Sequence, residues 1–299
     1  MISCSHHGAR NNLIKKNHIR AMINQHNQDN FSPYRKDIGE ILPDLTAEDY
    51  EKRGDEYLKQ GNINMSFIQY EKATRLKPDS FGLKYKIGIL LLKKGFNEDA
   101  EKMFEAILAH DSENTPAYMG IGKSAFIKGD FLRAEKFFYE AIKRDDQLWM
   151  ANNYLGIIYD RQKRYEEAIK HYATAIRLQP DNGFLYNNMG MSLYLSGHYE
   201  KAVRAFEEAL KRSDNKEIFN NMALGLSKLG KDNKAFDNFK KAGNRASAYN
   251  NLGYMYLLKG ENEKAEKAFL EAIEINPMYY VKANENLERT KSISSVIAE

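Results

Sequence analysis

The sequence predicts an all-α protein built as a right-handed α-solenoid: seven helix pairs and a C-terminal capping helix. Three observations carry this prediction. Small residues recur at Gly54, Gly88, Gly122, Gly156, Gly190, Ala223 and Gly253, at intervals of 34 residues that shrink to 33 and 30 only at the end. Twelve residues after each stands a second small residue, and four further on a ring: Tyr70, Phe104, Phe138, Tyr172, Phe206, Phe239 and Phe269. Between these columns the apolar residues keep helical spacing.

Counting the first small residue as position 8, the repeats begin at 47, 81, 115, 149, 183, 216 and 246, and residues 46–279 form the array. Each repeat is read as helix A, a short turn and helix B. Gly61, Gly95, Gly129, Gly197, Gly230 and Gly260 end the A helices where a left-handed residue is wanted; Lys163 stands there in the fourth repeat and is expected to cost some stability. Gly at position 8 and the small residue at position 20 are expected to let the paired backbones approach. The ring at position 24 fills the seam, because one pair alone cannot bury its apolar face. The sixth repeat is four residues short, and Gly243–Asn244 is expected to stop its B helix early. After Pro277, residues 280–299 read as a capping helix and tail, with Tyr280, Val281, Ala283 and Leu287 covering the last repeat. Residues 1–45, rich in Asn, His and Lys without a sustained period, read as a flexible arm.

These columns, and motifs such as "YLGIIYDRQKRYEEAIKHYATAIRLQP" from Tyr154 to Pro180, resemble the tetratricopeptide repeat family. The resemblance implies a stacked superhelix. It is specific for the fold and nearly silent on function.

Composition narrows the classes. A hydrophobic fraction of 42% with 12% aromatic residues suffices for a packed core, and a net charge of +4 is too small to point to nucleic acid. One cysteine excludes an intrachain disulfide and a cysteine-based zinc site. No phosphate loop, nucleophile elbow, metalloprotease or calcium-loop motif is present, and the histidines of the repeats lie about a repeat or more apart. The expectation is therefore no catalysis, no cofactor, no metal and no small-molecule substrate.

What remains is the concave wall, formed in such arrays by A-helix positions. Three helices carry an asparagine pair, "NNMG", "NNMA" and "NNLG", although Asn is a poor helix former. The candidate peptide groove is Asn153, Ile157, Asn187, Asn188, Met191, Tyr194, Asn220, Asn221, Leu224, Asn250, Asn251 and Tyr254. A side-chain amide offers an acceptor and two donors and can pair with a peptide unit whatever side chain it bears. This is similar to the asparagine ladder of O-linked N-acetylglucosamine transferases, where the resemblance implies peptide binding; the chain departs from it at Gly120 and Tyr154. The alternative is that the amides pin neighbouring repeats to one another. A chaperone-type carboxylate clamp, which wants Lys and Asn early in its first helix, meets Glu51 and Asp55 instead.

The expected partner is another protein, held through an extended or helical segment. As the chain stands the expected location is the cytoplasm. The start "MISCSHHGAR" resembles the end of a bacterial lipoprotein signal, and if translation begins upstream, Cys4 would be lipidated and the chain anchored to a membrane of the bacterial envelope. The repeats from Phe219 to Pro277 also resemble bacterial pilus-assembly lipoproteins of the TadD and PilF kind, which implies assistance to pilus or secretion-complex assembly as an alternative function. A regulatory subunit for an enzyme on another chain is the third.

Overall fold

A computed structural model describes residues 45–276, 281, 283–288 and 290. Cys4, the N-terminal arm, Pro277 and Tyr280 lie outside the described residues. The chain divides into two units, residues 1–144 and 145–299. All regular structure among the described residues is helical.

In the first unit three pairs follow one another: α1 (Ala47–Lys59) with α2 (Ile63–Leu76), α3 (Phe81–Lys93) with α4 (Asn97–Leu108), and α5 (Thr115–Lys128) with α6 (Phe131–Arg144). The second unit holds four: α7 (Trp149–Arg161) with α8 (Tyr165–Leu178), α9 (Gly183–Leu195) with α10 (Tyr199–Leu210), α11 (Lys216–Lys228) with α12 (Asp232–Ala242), and α13 (Arg245–Leu258) with α14 (Asn262–Ile275). Residues 283–288 are helical again.

Local chemistry sets the boundaries. The A helices α1, α3, α5, α9, α11 and α13 start where a side chain of Thr46, Ser80, Asn114, Asn182, Asn215 or Asn244 accepts a first-turn N–H. They end in paired backbone bonds that close the turn to helix B; after α3, the Gly95 N–H donates to Leu92 and the Phe96 N–H to Leu91. The residue in that turn is left-handed throughout, with φ between 71° and 84° at the six glycines and 60° at Lys163. Among the described residues, only there does a side-chain-bearing residue take the strained conformation. The short α12 ends at Ala242, and Asn244 with Ser247 forms a reciprocal capping box for α13.

The core is the column of rings. Tyr70, Phe104, Phe138, Tyr172, Phe206, Phe239 and Phe269 are all essentially inaccessible, each contributing about 1.5–3 kcal/mol of apolar burial. The position-8 glycines serve these rings directly. A Cβ built on Gly88 would come within 2.6 Å of the Phe104 ring, and one on Gly122 within 2.7 Å of Phe138. The small residue thus makes room for its own repeat's ring, a tighter requirement than backbone approach. In the two repeats whose ring is Tyr, an acid waits for the hydroxyl: Tyr70 donates to Asp55 at 2.6 Å and Tyr172 to Asp160 at 2.8 Å.

Beyond α14, Ala283 and Leu287 are buried against Phe269 and Ala272. Val281, expected to join them, is 65% exposed. Along a helix, position 281 lies about 200° round from 283, so a face that buries 283 and 287 turns 281 to solvent.

Candidate functional site

The asparagines of α7, α9, α11 and α13 meet one another. Asn188 donates its amide N–H to the Asn153 carbonyl at 2.9 Å, and Asn221 donates to Asn187 at 3.0 Å. Asn251 reaches Asn220 at 3.5 Å, and Asn286 of the last helical segment reaches Asn250 at 3.3 Å. The rule is the same at these four seams: the asparagine at position 5 of one A helix, Asn153, Asn187, Asn220 or Asn250, accepts, and an amide about one repeat later donates. Within α13, Asn250 also lies 3.5 Å from the Asn251 carbonyl. Asn187 and Asn221 are buried, at 5% and 7% exposure, and their bond replaces the water they lost.

Each inter-repeat bond consumes one carbonyl and one N–H. The amide nitrogens of Asn153, Asn187 and Asn220 and the carbonyls of Asn188, Asn221 and Asn286 keep further hydrogen-bonding capacity. The amides therefore hold the seams with only part of their hydrogen-bonding capacity.

The apolar candidates flank this line. Ile157, Met191 and Leu224 are partly buried, Tyr194 packs 5.5 Å from the Tyr199 ring, and Tyr254 is 41% exposed. Burial raises the Tyr194 phenol above its usual range, with a smaller push from Tyr199. A cavity of about 390 Å3 gathers Asn220, Leu224, Asn250, Asn251 and Tyr254 with Asn286. Glu285 and Phe239 complete its wall. Asn153, Ile157, Asn187, Asn188, Met191 and Tyr194 lie outside this cavity, which gathers the C-terminal end of the candidate groove. Sequence reasoning missed Asn286 and Glu285. The signal was present, because Asn286 follows Asn250 by 36 residues, close to one repeat.

Between α7, α8 and α9 lies a second polar link. The Asp160 carboxylate accepts from Tyr172 at 2.8 Å and from Ser192 at 2.6 Å. Burial raises its pKa; the two hydrogen bonds oppose this without reversing it. Burial and the neighbouring Asp160 together raise the Tyr172 phenol.

The corresponding face of the first unit is ionic. Lys86 of α3 binds Glu51 at 2.7 Å and Asp55 at 2.8 Å, both on α1. Burial would raise the Asp55 carboxyl, but hydrogen bonds from Lys86 and Tyr70 outweigh it and hold it below the usual range. Tyr70 is pushed up to about 12 by burial and by Asp55. Lys123 of α5 is half-buried, which lowers its ammonium pKa.

Among the described residues no group of three or more His, Cys, Asp or Glu is placed to hold a metal, and no helix is long and apolar enough to cross a membrane.

Sequence models described as the tetratricopeptide repeat match residues 50–80, 85–148, 146–215 and 246–279. The matched spans stop at 215 and resume at 246, on either side of the shortened sixth repeat. Over 121 residues the chain is 31% identical to the cell division cycle protein 16 homolog of Homo sapiens, covering 37% of this chain and 19% of that protein. The chain spans less than half the length of the curated relatives it matches. A tetratricopeptide repeat protein of Parabacteroides merdae superposes with a TM-score of 0.56 at 16% identity, over 82% of this chain and 98% of that one. PilF of Pseudomonas aeruginosa gives 0.54 at 19% identity, over 69% and 95%. At these identities the likeness is one of fold.

Proposed function

Because the chain belongs to the tetratricopeptide repeat proteins, a fold of protein–protein interaction, we propose that it is a non-catalytic scaffold holding a segment of a partner protein on the A-helix face of its fourth to seventh repeats. The observation that carries this reading is the cavity of about 390 Å3 at Asn220, Leu224, Asn250, Asn251 and Tyr254. It combines amides that keep free hydrogen-bonding capacity with aliphatic and aromatic side chains, the mixture that suits a peptide backbone and an apolar side chain together. Both readings of the asparagines are compatible there: one set of amide groups joins the repeats and the other faces the ligand. The peptide-groove residues Asn153, Asn187, Asn188 and Met191 extend the same line toward the N-terminal end of the unit.

A photo-crosslinking residue placed at Tyr254 of the full chain tests the proposal, with the same residue at exposed Lys267 on α14 as the control. The expected result is one protein joined at position 254 through a single contiguous segment, and its loss on replacing Leu224 by Asp in a chain that circular dichroism shows to be folded. Identical crosslinks from positions 254 and 267, or none at 254, would overturn it.

A further inference from the structure

On the B-helix side of the second unit a cavity of about 440 Å3 opens between α8 and α10. Tyr186, Met189 and Leu193 of α9 line it, with Ile169 and Ala205 beside them. Its existence traces to one column of the sequence. Position 23 of the repeat carries Phe137 in the third repeat and His171 in the fourth. Phe137 lies 6.0 Å from the Tyr118 ring, and His171 stacks on Tyr159 at 5.4 Å while bonding Asn152 at 3.1 Å. Those side chains occupy the space over their own A helix. In the fifth repeat position 23 is Ala205, and the space stays open. The seventh repeat also has Ala there, Ala268, but Phe236 from the preceding repeat covers its tyrosine, with 4.6 Å between the Phe236 and Tyr249 rings. The residue matching Phe236 at the open site is the smaller Ile169.

The rim is charged unevenly. Lys201 and Arg204 are exposed and make no ion pair among the described residues, whereas Glu208 is already bound by Lys211 at 2.5 Å and Arg212 at 2.8 Å. Glu166 is the one remaining acid on the wall. Arg212 also lies over the Tyr186 ring at 4.3 Å, so cations flank the cavity on more than one side.

We propose that this cavity is a second docking site, which takes an aromatic side chain of a partner protein from a segment whose neighbouring residues are acidic. The ring takes the place that Phe137 fills in its own repeat, and the acids meet Lys201 and Arg204. An apolar pocket with a polar rim is the usual seat of an anchoring aromatic residue, and the unpaired cations set the sign of its neighbours. The site is independent of the asparagine face.

The test uses the full chain and two fluorescein-labelled peptides, Asp-Glu-Trp-Glu-Asp and Asp-Glu-Ala-Glu-Asp, followed by fluorescence anisotropy. The tryptophan peptide is expected to bind about tenfold more tightly than the alanine peptide, the loss typical of truncating an anchor. Ala205→Phe, which fills the cavity from within, should abolish that preference while its melting temperature stays equal to or above that of the natural chain. The double variant Lys201→Glu and Arg204→Glu, confined to exposed positions, should weaken both peptides. Equal affinity for the two peptides, or a tryptophan preference that survives in folded Ala205→Phe, would overturn the proposal. So would N-acetyl-tryptophan amide binding as tightly as the peptide, which would make this a small-molecule site.

Discussion

The two units solve one problem in different currencies. Neighbouring A helices bring polar side chains together between the first and second repeats and again from the fourth repeat onward, and such groups must be paired once water is excluded. Between the first and second repeats the pairing is ionic, with Lys86 set between Glu51 and Asp55. From the fourth repeat onward it is amide to amide, through Asn153–Asn188, Asn187–Asn221, Asn220–Asn251 and Asn250–Asn286. The ionic pairing depends on salt and on pH; the amide bonds themselves depend on neither. A charge also needs an opposite charge, whereas an amide satisfies its own kind.

The sharpest way to break this comparison is at its most buried rung. Asn221→Ala leaves the Asn187 carbonyl without its donor and is expected to cost about 1–3 kcal/mol. Thermal unfolding followed by circular dichroism should fall by several degrees, at roughly 2–4 °C per kcal/mol for a body of this size. The loss should be the same in dilute buffer and in molar salt. A salt-dependent loss would contradict the amide assignment.

Lys86→Met is the matching change in the ionic seam, expected to cost about 1 kcal/mol or less because the three groups are partly exposed. The bond to Lys86 helps hold the Asp55 carboxyl below its usual pKa. The native state therefore gains stability that is complete above the ordinary carboxylate range and is lost as pH falls through the depressed value. The difference between variant and natural chain should shrink in acid, and again near molar salt, where screening acts over about 3 Å. A difference constant under both conditions would mean that Lys86 acts through packing alone.

Smallest in effect is Lys163→Gly, which removes the side chain held at φ 60°. It should raise the melting temperature modestly, by about 0.5 kcal/mol of stability, since relief of left-handed strain is partly offset by the freer unfolded chain. A lower melting temperature would show that the lysine side chain makes a stabilising contact.

Much of this was legible in the sequence, because the features that make the fold are local and periodic. The rings, the small residues opposite them and the left-handed turn residues each recur at a fixed place, so a single column read down the repeats identifies them. The asparagines were visible in the same way, but their partners were not. Pairing joins the position-5 amide of one helix to an amide one repeat away with a one-residue offset at most seams, and that offset is set by how adjacent A helices slide on packing. The exposed Val281 was misread for a related reason: periodicity shows that a helix follows α14, while the face it buries depends on where Phe269 and Ala272 leave room. The cavity beside Ala205 had a signal of its own, an alanine in a column that holds Gln69, Met103, Phe137, His171 and Asn238 in other repeats and alanine again only at Ala268, where Phe236 covers the gap. Reading that column for what is missing, rather than for what repeats, finds it.

An amide seam has a consequence for how such a chain can change length. Duplication of a whole unit from this stretch would place a carbonyl opposite an N–H at the new junction, as at the old ones, and leave no polar atom stranded. A copy of the Glu51–Asp55–Lys86 junction would instead set fresh charges beside existing ones and need compensating substitutions. Growth or shrinkage by unequal exchange is thus far more tolerable in the C-terminal half, and related chains of different repeat number should differ there first.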